Sequence, residues 1–429
     1  LSLSSPLQSV TFDEYAYVPA GYSYWKTGDF RLYSNNPPLI KLLITLPLLV
    51  SSPSLSYTPS GKISHPWAIG FLFLKENLSR YHSLFLQCRG MVILLSSILA
   101  LLLFFWSRSL YGWRAGFLCL GLYTFCPEVL AHSQLCTTDI GMAFFAVCAL
   151  AGLWLYQRDP TRMRTLICGV LLGAALLAKW SNVLLYVVYL IMILGFLSKK
   201  SRPQRAVDFA LMLIVSLCVI NIGYIFQGTL RSLGSFNFIS KGMGFIQDIL
   251  PAALPIPFPS PLVEGMDIDQ YEMEVGHLYY LNGILSIKPR WYYFFEAFVL
   301  KTPIPLIIFI LYRFFIKQGK IFSPTHPGGA VLLLGSIVYI FYFSFLETVN
   351  LGIRYILPVY PFLSIWISPV ILHMTTWWKK IFFVLLLGWL AITSLSIHPH
   401  YLSYFNEIAG GPEGGRRYLG DSNIDWGQD

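Results

Sequence analysis

Long runs of apolar residues occupy most of the chain after residue 90. A run of about 17 to 25 apolar residues is the length that an α-helix needs to cross a bilayer. By this criterion the sequence predicts helices at 90–107, 116–132, 139–156, 165–179, 182–198, 208–227, 293–315, 330–346, 353–373 and 379–397. The pattern therefore predicts an all-α polytopic membrane protein with outer-face loops and juxtamembrane helices.

Basic residues recur between alternate predicted helices and indicate a topology. The clusters are Arg108 and Arg114; Arg158, Arg162 and Arg164; Lys199, Lys200, Arg202 and Arg205; Arg313, Lys317 and Lys320; and Lys379 and Lys380. Connections rich in Lys and Arg stay in the cytoplasm. The intervening segments, among them 1–89, 228–292 and the tail from 398, are therefore predicted to face outward.

This topology divides the chain into five parts. They are a first outer loop at 1–89, transmembrane helices at 90–227, a second outer loop at 228–292, transmembrane helices at 293–397, and the start of an outer C-terminal region at 398–429. The apolar stretch Leu39–Leu49, which Pro47 interrupts, is too short to span and predicts a re-entrant or surface-lying helix. The prolines between Pro251 and Pro261 predict that the second outer loop contains no regular helix.

The composition agrees with a membrane location. The 429 residues are 55% hydrophobic and 12% charged, with a mean hydropathy of +0.61, so one soluble core cannot bury the apolar surface. The Lys and Arg residues that give the net charge of +9 lie in short clusters between apolar runs, so they indicate membrane topology and not nucleic-acid binding. Seven scattered cysteines without a CxxC pair indicate neither a zinc site nor a disulfide framework. Because residues 1–38 are predicted outside, we expect a longer chain with one more span before Leu1.

The adjacent acids Asp13 and Glu14 are the strongest chemical signal. The chain has only 21 acidic residues, and a carboxylate beside a membrane domain is costly unless it has a role. Four more ionisable residues stand at outer ends of predicted helices: Arg89, Asp139, Lys179 and Arg354. Any one of them alone could equally be a snorkelling or end-capping residue. Together, carboxylates and cations on one rim can deprotonate a nucleophile and neutralise a phosphate leaving group.

Other motifs are weaker. The acidic stretch 264–274 contains Asp267-Ile268-Asp269, a spacing that soluble sugar-nucleotide enzymes use to hold a metal, but a solvated loop face is the favoured interpretation. Asp421, Asn423 and Asp425 imitate the start of a calcium loop whose glycine comes one place too late. The sequence contains no Gly-rich phosphate loop, HExxH or GxSxG motif.

An ordered set of short motifs resembles a known family. Phe12-Asp13-Glu14, Gly28-Asp29 and Asn36-Pro37-Pro38-Leu39-Ile40-Lys41 are similar to the first outer loop of the protein O-mannosyltransferases and of related bacterial lipid-carrier-dependent glycosyltransferases, relatives of the enzymes that put aminoarabinose on lipid A. The resemblance continues through Arg89, Thr137-Thr138-Asp139, Ala178-Lys179, Gly276-His277, Lys301-Thr302-Pro303 and Gly352-Ile353-Arg354-Tyr355. The tail, Asp421-Ser422-Asn423 and Asp425-Trp426-Gly427-Gln428-Asp429, resembles the bacterial branch.

The resemblance implies the type C glycosyltransferase fold and a sugar donor carried on a polyprenyl or dolichyl phosphate. It also implies that Asp13 is the catalytic base and that Glu14 helps to bind the acceptor or a metal. The implied ligands of the donor phosphate are Lys41, Arg89, Lys179 and Arg354. Of these four cations, we expect Lys41 and Arg89 to be the more certain ligands of the phosphate.

Three further positions bear on the site. Asp139 and His277 match recurrent positions of the family. Asn36 departs from it, because the mannosyltransferases carry His and the aminoarabinose enzymes carry Lys before Pro-Pro. A neutral amide cannot supply that charge, so neither subgroup's substrate is implied for this chain.

The resemblance implies an integral membrane glycosyltransferase that moves a mannose-like hexose or another sugar to a protein, lipid or glycan acceptor, with inversion; the one-sided rim of charges agrees with it. No cofactor is required by the resemblance, a divalent metal is compatible with it, and nucleic acid is not an expected partner. The bacterial tail indicates the inner membrane, with the active site on the periplasmic face. A transporter or flippase of lipid-linked sugars is the alternative, but the charges crowd one rim and no internal repeat is evident.

Overall fold

The computed structural model describes residues 1–59, 65–195, 201–316 and 327–427. Within these ranges the chain is a bundle of helices, and its sheet structure is one short hairpin. The predicted all-α class is confirmed. The basic residues Lys199, Lys200, Lys317 and Lys320 of the predicted topology, and Gln428 and Asp429 of the tail motif, lie outside the described residues.

The helices and strands follow one another in chain order. In the first outer loop they are α1 Glu14–Thr27, α2 Pro38–Ile44, α3 Leu48–Ser51 and α4 Pro66–Glu76. In the first membrane region they are α5 Tyr81–Tyr111, α6 Trp113–Thr124, α7 Pro127–His132, α8 Asp139–Arg158, α9 Arg162–Ala178, α10 Leu184–Leu190 and α11 Arg202–Gly223. The second outer loop holds α12 Lys241–Ile249, α13 Ser260–Val275, β1 Tyr279–Leu281 and β2 Ile284–Ser286. The remainder comprises α14 Tyr293–Lys301, α15 Ile304–Phe315, α16 Pro327–Phe345, α17 Val359–Ile367, α18 Trp377–Ser396 and α19 Gly411–Gly415.

Fewer helices than predicted are long enough to cross a bilayer. Among the described residues, α5, α8, α11, α16 and α18 have the required length and apolar character. The pair α14 and α15 adds a sixth span only if it counts as one broken helix, because it bends by 111°. The prediction of a continuous helix at 293–315 is therefore wrong. Pro303 cannot continue the hydrogen-bond ladder, and Thr302 before it is held in an extended conformation.

Several predicted boundaries move for similar reasons. The helix predicted at 116–132 is divided into α6 and α7 just before Pro127, and the one predicted at 353–373 begins only after Pro358. Helix α5 starts at Tyr81 instead of residue 90. Arg89 therefore lies about two turns inside this helix and does not open it.

The second outer loop is more regular than predicted. Helix α13 forms because Pro261 occupies its first turn, where the missing N–H has no intrahelical partner to lose. Strands β1 and β2 pair antiparallel, with Tyr279 opposite Ser286. Asp267 does not belong to a solvated face, because it is buried and accepts hydrogen bonds from the amides of Ile239 and Ser240 at 2.8 and 2.9 Å. It thereby holds the start of α12 against α13.

The first outer loop is folded onto the bundle. Most of α1 is buried, and an apolar cluster joins α1 to the C-terminal ends of α9 and α11 through Tyr17, Leu176 and Ile220. The apolar stretch Leu39–Leu49 is divided between two short helices, α2 and α3, which lie on either side of Pro47. Gly28 ends α1 with a φ of 66°, the left-handed conformation that glycine adopts without strain. This packing fixes the position of Asp13 at the start of α1.

Gly21→Ala is expected to destabilise the protein by about 1–3 kcal/mol, the usual cost of overpacking a close contact. A Cβ at Gly21 would overlap the carbonyl oxygen of Lys41, where α1 crosses α2. Thermal unfolding of the detergent-solubilised protein measures the change. Gly90→Ala is the matched control, because its Cβ would meet open space on α5. Equal melting temperatures for the two variants would show that α1 and α2 do not pack this closely.

Candidate active site

A cavity of about 560 Å³ lies where the two outer loops and the tail meet the ends of the membrane helices. Its wall includes residues from the start of α1, the turn before α2, the end of α9, helix α13, the end of α16 and the segment 421–427. Asp13, Asn36, Lys179, His277 and Arg354 of the predicted site line it. The other predicted site residues, Glu14, Lys41, Arg89 and Asp139, do not belong to its lining.

Asp13 and Arg354 form an ion pair on this wall. Nη1 of Arg354 lies 2.8 Å from Oδ2 of Asp13, and each side chain is 13% exposed. The carboxylate of Asp13 makes no cap to helix α1, although its backbone carbonyl accepts from the amides of Ala16 and Tyr17. Burial acts to lower the pKa of Arg354, but the carboxylate of Asp13 more than offsets it and the pKa is raised. The carboxylate of Asp13, which does not cap α1, and the charged guanidinium of Arg354 therefore lie side by side on the cavity wall.

Lys179 is the second cation of the cavity. It lies just after α9, and its Nζ donates a 2.6 Å hydrogen bond to Oδ1 of Asp139 at the start of α8. The other oxygen of Asp139 accepts from the hydroxyl of Thr137 at 2.8 Å. Asp139 is buried behind the wall. It therefore orients Lys179 and does not itself face the cavity.

Glu14 and Arg89 form a separate, fully buried ion pair. All five N–H groups of Arg89 are engaged, two with Glu14 at 2.6 and 2.9 Å and three with the carbonyls of Ser5, Gln8 and Ser9 at 2.7 to 3.0 Å. Both oxygens of Glu14 also accept backbone hydrogen bonds, one from each of two loops. Neither residue has hydrogen-bonding capacity left for a phosphate or an acceptor. The pair instead ties α1, α5 and the first residues of the chain together.

Lys41 is likewise engaged within the protein. Its buried Nζ donates to the hydroxyl of Tyr24 at 2.9 Å, to the carbonyl of Asn36 at 2.6 Å, and to the carbonyl of Tyr33. These three bonds use all three of its N–H groups. Burial lowers the pKa of Lys41 well below its usual range. Lys41 thus holds the turn that presents Asn36 to the cavity, and it does not reach the cavity itself.

Three further acids belong to the cavity lining. Asp269 and Glu272 of α13 and Glu347 after α16 line it together. Burial, with the neighbouring carboxylates adding to it, raises the pKa of Asp269 and of Glu347. Nε2 of His277 lies 3.5 Å from Glu272, and this contact raises the pKa of the imidazole. The cavity lining therefore contains protonatable acids as well as the cations Arg354 and Lys179.

Sequence reasoning missed several lining residues. Asp269, Glu272 and Met273 have the spacing of one helical face, but the nearby prolines argued against any helix there. Trp426 lines the cavity, but the sequence offers it only within the tail motif. Asp421 and Asp425 also line the cavity, and with Asn423 they give only a weak calcium signal. Asn423 does not belong to the lining, and its side-chain oxygen accepts from the amide of Ile353 at 3.0 Å. Among the described residues, no group of three or more His, Cys, Asp or Glu side chains is placed to hold a metal ion.

Comparison with known proteins identifies the family. A model of the dolichyl-phosphate-mannose-protein mannosyltransferase family matches residues 3–231, more than half of the 429 residues. The chain belongs to this family. The matched region of the mannosyltransferase family includes Asp13, Asn36 and Lys179, whereas His277, Arg354 and the tail lie beyond it. A search of curated protein sequences finds no match.

Solved structures show the same fold. ArnT from Cupriavidus metallidurans is similar in its apo state, with 15% identity, a TM-score of 0.55, and 89% of this chain and 59% of that chain covered. ArnT bound to undecaprenyl phosphate gives 15% identity, a TM-score of 0.56 and coverage of 93% and 68%. AglB, an oligosaccharyltransferase from Archaeoglobus fulgidus, has been solved in complex with an inhibitory peptide and a dolichol-phosphate. It is similar with 11% identity and a TM-score of 0.52, and the match covers 98% of this chain and 53% of the AglB chain.

These matches confirm the membrane-embedded type C glycosyltransferase fold and a multi-pass membrane protein. The chain spans about three fifths of the length of the apo ArnT chain. The family is one of polyprenyl-phosphate-dependent membrane glycosyltransferases.

Proposed function

We propose that this protein transfers a sugar from a polyprenyl-phosphate donor to an acceptor hydroxyl or amine, with inversion at the anomeric carbon. The observation that carries the proposal is that one carboxylate, Asp13, and two cations, Arg354 and Lys179, line the same cavity. The family of this chain is named for dolichyl-phosphate mannose, and ArnT has been solved with undecaprenyl phosphate. Both support a lipid phosphate as the leaving group.

Arg354 and Lys179 are the proposed ligands of the donor phosphate. Their side chains reach the cavity, whereas Arg89 and Lys41 have every N–H group engaged inside the protein. A guanidinium presents parallel N–H groups that suit two phosphate oxygens, and an ammonium adds a point charge. This assignment reverses the order of importance that the resemblance implied among the four cations.

The ion pair between Asp13 and Arg354 suggests how the donor prepares the base. A phosphate that binds Arg354 competes with the carboxylate of Asp13 and leaves it available to the acceptor. The acceptor O–H or N–H bond then breaks and its proton passes to Asp13, while the acceptor atom bonds to the anomeric carbon. The bond between that carbon and the phosphate oxygen breaks, and its electron pair leaves with the polyprenyl phosphate, whose charge the two cations stabilise.

The cavity is proposed to face the periplasm of a bacterial inner membrane. Helix α8 runs 20 residues from Asp139, beside the cavity, to Arg158, a distance of about 30 Å, one hydrocarbon thickness. Arg162 and Arg164 begin α9 at that far end, and Lys179 follows its last residue at the cavity end. Basic residues mark the cytoplasmic side. The sugar donor is therefore expected on the leaflet away from them.

The function is tested in membranes that contain the full-length protein. Undecaprenyl-phosphate-linked hexoses, labelled in the sugar, are added, and the label is followed together with free undecaprenyl phosphate. We expect label to move from the lipid to an acceptor and free undecaprenyl phosphate to appear, in membranes with the protein and not in membranes without it. Intact donor that only crosses the bilayer would support the transporter alternative instead.

A further inference from the structure

The segment Asp421–Gly427, called the tail segment below, contacts Arg354 and Phe12, the residue before Asp13. Asp421, Ser422, Asp425, Trp426 and Gly427 line the cavity. The tail segment lies about 70 residues after Arg354 in sequence and at the opposite end of the chain from Phe12. Its contacts with these two residues come from tertiary packing alone.

The tail segment holds the turn that carries Arg354. Oδ1 of Asn423 accepts from the amide of Ile353 at 3.0 Å, and Nδ2 of Asn423 donates to the hydroxyl of Tyr293 at 3.0 Å. That hydroxyl accepts from the amide of Gly352 at 2.9 Å, and Gly352 has a φ of 90°. The two backbone amides just before Arg354 are thus bound to a side chain of the tail segment, one directly and one through Tyr293.

Trp426 contacts Arg354 with its side chain and Phe12, the residue before Asp13, with its backbone. Its indole ring lies 4.0 Å from the guanidinium carbon of Arg354, which is within cation–π range. Its carbonyl accepts a 2.8 Å hydrogen bond from the amide of Phe12, the residue before Asp13. The side chain is only 7% exposed. One residue therefore fixes the guanidinium and the backbone that presents the carboxylate.

The tail segment is anchored to the bundle independently of these contacts. Nζ of Lys301 donates to the carbonyls of Asn423 and Leu402 at 2.7 and 2.8 Å and lies 3.0 Å from Oε1 of Glu128. Lys301 and Glu128 are fully buried. The ammonium of Lys301 is buried and has three oxygen neighbours. Separating these groups would leave a buried charge unpaired, so Lys301 holds the tail segment firmly against the bundle.

We propose that Trp426 is a positioning residue that holds Arg354 in place for the donor phosphate, with Asn423 fixing the backbone beneath it. This inference rests on the proposed function of Arg354. An arginine side chain has many rotamers, and Arg354 makes one hydrogen bond to Asp13 and a longer one of 3.4 Å to the carbonyl of Leu351. When a phosphate displaces Asp13, the indole ring is the contact that keeps the guanidinium in the cavity.

The test is the affinity of the purified full-length protein for undecaprenyl phosphate. Arg354→Leu is expected to weaken binding by at least about tenfold, as expected for loss of a charge-assisted contact. Trp426→Leu is expected to weaken it by roughly tenfold, within the range of a partly desolvated cation–π contact. The double variant is expected to bind no more weakly than Arg354→Leu alone, because Trp426 acts through Arg354. Trp426→Phe, which keeps an aromatic face, is expected to recover most of the loss.

Two controls separate positioning from folding. Trp378→Leu removes an exposed tryptophan of α18 and is expected to bind like the wild type. Asn406→Ala loosens the chain nearby, since Asn406 donates to the carbonyls of Val299 and Thr302 without contacting the Arg354 turn, and it is expected to lower the melting temperature more than the affinity. Should Trp426→Leu fail to fold, Trp426→Phe replaces it. Its loss is expected to be smaller, and to vanish in the Arg354→Leu background.

The outcomes are distinguishable. Additive losses in the double variant, or wild-type affinity in a folded Trp426→Leu, would overturn the positioning role. Undiminished binding by Arg354→Leu would instead reject Arg354 as a phosphate ligand, which is a failure of the proposed function. A loss of affinity in Trp426→Phe that persists in full in the Arg354→Leu background would also reject positioning, because the ring would then act independently of Arg354.

Discussion

Asp13→Asn is expected to slow sugar transfer by about 100- to 10,000-fold, the usual contribution of a positioned general base. The amide has the shape of the carboxylate but cannot take the proton of the acceptor. Its oxygen can still accept the 2.8 Å hydrogen bond from Arg354, so the cavity should persist. The measurement is the initial rate of sugar release from a labelled undecaprenyl-phosphate-linked donor, with the melting temperature recorded in parallel.

The matched control is Asp159→Asn. Asp159 also pairs with an arginine, Arg164 at 3.1 Å, but it is largely exposed and lies beyond the far end of α8. The same chemical change there is expected to leave the rate unchanged, because exposed ion pairs contribute little. Turnover of Asp13→Asn at a rate near that of Asp159→Asn would remove Asp13 as the base.

Donor binding gives a second readout for Asp13. In the wild type, its carboxylate competes with a phosphate for Arg354, so Asp13→Asn should bind undecaprenyl phosphate as well as the wild type or better. A variant that loses turnover and keeps this affinity has lost chemistry and not the site. Affinity that falls together with turnover would mean that the carboxylate holds Arg354 in shape instead of receiving a proton.

The sequence predicted the residues whose position follows from helix ends. Asp13, Lys179 and Arg354 stand next to the ends of helices or turns, and the alternation of basic clusters predicts that all three lie on one side of the membrane. The structure brings them into one cavity. The type C fold could also be predicted, because motifs spread along the chain in a fixed order carry the family signal even where each one is short.

Arg89 and Lys41 could not be assigned from sequence because most of their partners are backbone carbonyls. Arg89 binds the carbonyls of Ser5, Gln8 and Ser9, and any residue type supplies a carbonyl. Lys41 is engaged in the same way by Tyr33 and Asn36. A pattern of side-chain types can show that a cation is present, but only the path of the backbone shows whether its N–H groups are already used.

The helix of the second outer loop and the role of the tail segment could not be predicted from the sequence, for two different reasons. The prolines of the second outer loop predict that no helix forms there, but a proline in the first turn of a helix, where Pro261 lies in α13, is well tolerated. The role of the tail segment depends on contacts with Arg354 and Phe12 that are remote in sequence. Neither hydrophobic period nor residue spacing carries information about such contacts.

Glu14→Gln is expected to have the largest effect on stability, about 3–5 kcal/mol, because it leaves the fully buried guanidinium of Arg89 without its counter-ion. Burial acts to raise the pKa of Glu14, but Arg89 and the backbone hydrogen bonds from Cys136 and Thr11 more than offset it and hold the pKa below its ordinary value of 4.5. A carboxyl with a depressed pKa in the folded state stabilises the protein above that ordinary value and loses the contribution as pH falls. The stability difference between wild type and Glu14→Gln should therefore be constant at neutral pH and shrink below pH 4.5.

Thermal or denaturant unfolding in detergent across this pH range measures the difference. Glu413→Gln is the control, because Glu413 pairs with Arg416 on the surface with 84% of its side chain exposed, and no measurable change is expected there. The folded fraction of Glu14→Gln should bind undecaprenyl phosphate with wild-type affinity, since neither Glu14 nor Arg89 lines the cavity. A stable Glu14→Gln protein that had lost this affinity would show that Glu14 and Arg89 contribute to donor binding after all. It would also show that the donor phosphate reaches past Arg354 and Lys179 to a guanidinium that the free protein keeps buried.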